Sequence, residues 1–201
     1  MDTQKRAKEV TRFIILIPHR DSLKPLEEYR KRLFAAGLWG AHSFPAAAPL
    51  AMVSRSFSRE ELKELARNIR NLTDRTDGKI QSSGAALTHC PTRTIACDRA
   101  YLSFFGPRLN LSIKEDDLGL ARDKVLNTFH PLILCAALVD SELNLAEKNR
   151  PGENLIFEEA PVLSFRAAAL ANLAIRPLGA GESNYSFEWR IGNPVWLQKK
   201  Y

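Results

Sequence analysis

Histidine is the side chain that most readily moves protons near neutral pH, and this chain has four, at His19, His42, His89 and His130. Two of them, His42 in AHSFP and His130 in FHPLI, fall one in each half of the chain. Two imidazoles can divide the roles of base and acid between them. His130 leads through Pro131 into the apolar run Leu132 to Val139, and in a regular strand it shares a face with Leu132 and Leu134. PAAAP follows His42, which interrupts any strand there. His19, just after Pro18, and His89, before Cys90-Pro91, read as structural or solvated.

The other chemistry-bearing residues offer less. Cys90, Cys97 and Cys135 are odd in number and form no CxxC pair, so they define neither a disulfide framework nor a zinc site and read as reduced thiols. A thiol nucleophile at His89-Cys90 has no identifiable orienting acid. Glu115, Asp116 and Asp117 suit the first turn of a helix better than a metal site. Gly179-Ala180-Gly181-Glu182 lacks the strand-to-helix context of a phosphate loop and reads as a turn. The arginines of residues 58–75 alternate with acids, as on a solvated helix face. No metal or cofactor is implied.

The elements that would position these residues follow from periodicity. Phe13–Ile17 is a short β-branched run stopped by Pro18, which predicts a strand. DSLKPLEEYRKRLFAAG predicts a helix with Pro25 in its first turn, Leu26, Tyr29 and Leu33 on one face, and Gly37 at its stop. A strand follows over Leu50–Ser54. A second helix opens on a capping box, Ser58 with Glu61, and its apolar stripe is Leu62, Leu65, Ala66, Ile69 and Leu72. Asp77-Gly78 marks a turn, and Lys79–Ile113 reads as strands broken at Pro91 and at Gly106-Pro107. EDDLGLARDKVLNTF predicts a helix, Phe129–Leu138 a strand, DSELNLAEKN a short helix, and residues 154–201 return to strand. Periodicity leaves AAALANLAIRPL open between helix and strand, whereas YSFEWRI and PVWL read as strands.

With 201 residues the chain suits one two-lobed domain, 1–201, with residues 1–11 as an N-terminal tail. Its net charge of +6 favours anionic partners, an RNA or a nucleotide first among them. Its charged amino terminus and lack of a long apolar run point to a soluble, cytoplasmic protein away from membranes.

Both halves run strand, helix, then a strand opening on Pro-Leu: Pro49-Leu50-Ala51-Met52-Val53 and Pro131-Leu132-Ile133-Leu134-Cys135. This layout, from FIILIP to YSFEWRI, resembles the 2H phosphoesterase superfamily, which contains 2′-5′ RNA ligases and RNA cyclic phosphodiesterases. The resemblance implies an α+β fold of two pseudo-twofold lobes, with antiparallel sheets lining a central cleft and helices outside. It also implies a Pro-His-x-Thr-x strand in each lobe. Here both histidine positions hold leucine, Leu50 and Leu132, and both hydroxyl positions hold Met52 and Leu134. Leucine carries no proton, and each lost acid/base role costs on the order of 10²–10⁴ in rate. The expected protein is therefore a degenerate enzyme that binds a nucleotide, RNA or small ligand in the inter-lobe cleft, with Arg55 and Arg93 near the phosphate. Two alternatives remain: an active cyclic phosphodiesterase using His42 and His130, and a basic RNA-binding module.

Overall fold

The computed structural model describes residues 10–35, 38, 40–54, 57–74, 79–90, 102–114, 116–120, 122–140, 162–177 and 185–197. Strand β1 (Val10–Pro18) forms on the predicted apolar run, and Phe13, Ile14, Ile15 and Leu16 are all fully buried. A strand without alternation is one covered on both faces. It takes in Val10 and Thr11, which the sequence had assigned to the tail.

Helix α1 (Arg20–Ala35) starts earlier than predicted, leaving Pro25 inside it. The earlier start is capped by His19, whose carbonyl accepts the Ser22 N–H at 3.0 Å and whose Nδ1 lies 3.5 Å from the Asp21 N–H. Strand β2 (Ala48–Val53) is buried throughout. Helix α2 (Arg59–Asp74) opens on the predicted capping box: the Glu61 N–H donates to Ser58 Oγ at 3.1 Å, and the Ser58 N–H donates to the Glu61 carboxylate at 2.8 Å. Arg70 is no solvated charge, because its guanidinium donates to the Leu197 and Trp196 carbonyls.

Strands β3 (Lys79–Cys90) and β4 (Leu102–Leu109) pair antiparallel. The break expected at Gly106-Pro107 is absent. β4 runs through it because β3 shifts register opposite Pro107, between Ser83 and Ala85, with Gly84 at φ 50°. Such a bulge accommodates a residue that cannot donate to the ladder.

The helix expected over EDDLGLARDKVLNTF is replaced by two single 3-10 turns, Asp116–Leu118 and Arg122–Lys124, and by β5 (Val125–Thr128). Gly119 explains the interruption. Its φ of 64° is left-handed, and it ends the first turn against the Asn68 side chain, whose Nδ2 donates to the Leu118 carbonyl at 3.3 Å.

Strand β6 (Ala137–Asp140) is shorter than the predicted strand over Phe129–Leu138. The ambiguous alanine-rich stretch is strand, part of β7 (Val162–Pro177), followed by β8 (Tyr185–Ile191) and β9 (Val195–Trp196). Apart from Asp140, which ends β6, DSELNLAEKN lies outside the described residues, as do Asp77-Gly78, Gly179–Glu182 and residues 154–161.

The described strands form one sheet in the order β5-β2-β1-β7-β3-β4-β6, every pairing antiparallel, with β8 and β9 also on β7. The protein is thus α+β, mostly antiparallel sheet with two α-helices among the described residues. One edge of β7 is taken by β1; at successive stretches β7 also pairs with β3, β9 and β8. No described helix is long and apolar enough to cross a membrane.

Candidate functional site

The stretch that should carry the second half of the site, Phe129–Leu138, is an extended seam between two parts of the fold. On one side the Leu134 and Ala136 N–H groups donate to the Pro107 and Phe105 carbonyls of β4, at 2.9 and 2.8 Å. On the other, the Cys135 and Leu138 N–H groups donate to Ala47 and Gly40, at 3.0 Å each. Upstream, the Phe129 N–H donates to the Leu50 carbonyl of β2 at 3.0 Å. Regular pairing is limited because Pro45, Pro49 and Pro107, in the flanking chains, have no N–H to return.

Four positions were singled out by the resemblance, and all four face the interior. Leu50 is 2 % exposed, Met52 9 %, Leu132 2 % and Leu134 0 %, and all belong to one core cluster. Around them packs an aromatic group. Phe13 on β1 meets Phe104 on β4 edge-to-face at 5.7 Å between centroids, and Phe104 meets Phe44 at 4.8 Å and Phe129 at 5.4 Å. Phe13 on β1 and Phe104 on β4 are separated in the sheet order by β7 and β3, so the rings fill the space between strands that do not pair. Arg55 and Arg93 lie outside the described residues.

The two histidines have separate partners. His130 is exposed after β5, its Nε2 3.3 Å from Thr128 Oγ1. His42 has φ 72°, a left-handed conformation uncommon outside glycine, and its Nδ1 lies 3.6 Å from Glu27 Oε2 on α1. Glu27 Oε1 is in turn 3.3 Å from Arg30 Nη1. At 3.6 Å the contact is longer than a hydrogen bond, so the carboxylate stands near the imidazole without fixing its orientation.

Arg30 is the residue that sequence reasoning missed. It is 4 % exposed, and its guanidinium donates from Nε to the Ala136 carbonyl at 3.1 Å, and from Nη2 to Cys135 at 3.4 Å and to Phe44. These carbonyls belong to the seam and to the segment before β2, where proline has removed backbone donors. A signal was available: with Leu26, Tyr29 and Leu33, Arg30 completes the i, i+3, i+4, i+7 face of α1, a charge on the buried stripe.

No family model, curated protein or solved structure matches this chain. Its chemistry must be read from its own side chains. Burial pushes the Cys135 thiol up to about 12, with Arg30 opposing, and its Sγ faces the Ala137 carbonyl at 3.4 Å. It is a packed thiol and no nucleophile. Asp117 accepts the Lys114 N–H at 2.8 Å, a turn-capping role. His19 pairs with Asp21 at 3.1 Å beside the start of α1. The side chains of His89 and Cys90 are not among those described, although their backbones lie in β3 opposite Ser103 and Leu102.

Proposed function

We propose that this protein is a 2H-phosphoesterase-like chain that has lost the family's acid–base pair and acts by binding a nucleotide, an RNA or another anionic ligand. The observation that carries this reading is the joint burial of Leu50, Met52, Leu132 and Leu134 in one hydrocarbon core, where none of the four side chains can carry a proton. On this reading the strands around β1–β2 and around β3–β4–β6 descend from the two lobes, and the groove between them has filled with side chains. The net charge of +6 then recruits the ligand to the surface.

One observation favours a second reading. The Glu27 carboxylate stands 3.6 Å from His42 Nδ1, and an active phosphodiesterase would use that imidazole with His130 as its acid–base pair. Incubation with a 2′,3′-cyclic nucleotide at neutral pH separates the two. The binding reading expects no turnover above background. Turnover that copurifies with the protein and is abolished in both His42→Ala and His130→Ala establishes the enzyme instead.

A further inference from the structure

The register of three strands sets two arginines and an asparagine in one line. Arg12 of β1 is the antiparallel partner of Asn172 of β7, and Asn172 is the partner of Arg190 of β8. Directly opposed residues in antiparallel strands point to the same face, so the three side chains stand side by side. With neighbouring strands about 4.8 Å apart, the Arg12 and Arg190 backbones are about 10 Å apart, and the asparagine amide lies between them. Arg190 is exposed, and Arg12 and Asn172 are half-buried. Arg12 Nη1 reaches the Ser54 carbonyl at 3.4 Å, a long contact that steadies the side chain without neutralising it. Among the described residues neither guanidinium has a carboxylate partner. Glu188, opposite Ala174 on the same face, bounds the row at one end.

We infer that this row is a docking site for the phosphodiester backbone of a single-stranded nucleic acid. The inference rests on the binding reading above and places the ligand at the margin of the sheet face opposite Phe13, where the row is half-buried to exposed, away from the sealed positions around Leu50 and Leu132. Two guanidiniums on separate strands with a neutral donor between them can engage several phosphates of one chain, whereas an isolated phosphate leaves part of the row unpaired. A nucleic-acid backbone brings a run of negative charge to the two guanidiniums, beyond the Glu188 carboxylate at the end of their row.

The test is the salt dependence of binding to an oligouridylate of about twenty nucleotides, followed by fluorescence anisotropy. For a single strand the slope of log K against log salt is about −0.7 per neutralised phosphate. Arg12→Ala and Arg190→Ala are each expected to make the slope shallower by about 0.7, and the double variant by about 1.4. Arg12→Lys and Arg190→Lys keep the charge and are expected to keep the slope. Parental slope in the double alanine variant overturns this site while leaving the binding function standing. Uridine monophosphate bound as tightly as the oligomer overturns the chain-like ligand. A parent protein that binds neither at low salt overturns the broader reading as well.

Discussion

Arg30 shows how a single side chain can replace missing backbone chemistry. Three carbonyls, at Phe44, Cys135 and Ala136, meet its guanidinium where the neighbouring chain is rich in proline. A buried carbonyl left unpaired costs about 1–3 kcal/mol. Arg30→Met retains much of the volume and removes every donor, so it is expected to lower stability by about 2–4 kcal/mol, read as a reduced urea midpoint at unchanged slope. Lysine at this position supplies a point charge in place of a planar fork and is expected to recover less than half of the loss. An Arg30→Met protein with the parental midpoint would show that water satisfies those carbonyls. Glu27 and His42 depend on the same residue, because Arg30 holds one Glu27 oxygen while the other faces the imidazole.

The elements show where sequence patterns carry information and where they stop. The Ser58–Glu61 capping box and the Leu65, Ala66 and Ile69 stripe are local signals, and α2 follows them. The run Phe13–Ile17 likewise specifies its strand. The helix expected over residues 115–129 failed because one left-handed glycine, Gly119, needed by the contact with Asn68, outweighs a favourable acidic start. Apolar composition could not tell a seam from a strand at Leu132–Cys135, because the distinction lies in prolines far away in sequence. The two glycines flanking that seam are equally non-local. A Cβ on Gly106 would sit 2.0 Å from the Leu134 carbonyl oxygen, and one on Gly40 would sit 1.6 Å from that of Leu138. Both clashes are with backbone, which cannot turn aside. Gly106→Ala and Gly40→Ala are each expected to destabilise by about 3 kcal/mol or more, at or beyond the upper range for overpacking. Gly192→Ala, whose Cβ would lie 3.4 Å from the Leu170 oxygen, serves as a near-neutral control. Equal thermal midpoints in all three variants would disprove the close approach.

At the scale of the whole molecule the question is whether the regions around β1–β2 and around β3–β4–β6 behave as one unit or two. β7, with 16 residues, hydrogen-bonds to β1 and β3 from a single continuous strand. The rings of Phe13 and Phe104 join the same two regions through the core, and Phe44 ties in Trp189 of β8 at 4.0 Å. Neither region can expose its apolar face without opening the other, so unfolding is expected to be one cooperative transition. Far-ultraviolet circular dichroism and tryptophan fluorescence should therefore trace the same denaturant curve. Phe104→Ala, which removes a ring from β4, is expected to cost about 3–5 kcal/mol and to shift both signals together. Separate transitions, with the fluorescence change at Trp189 unmoved by loss of the β4 ring, would mean that the halves fold independently. A groove between them would then be able to open and admit a ligand. Coincident transitions would argue against such a groove and leave the Arg12–Asn172–Arg190 row as the site to test for binding.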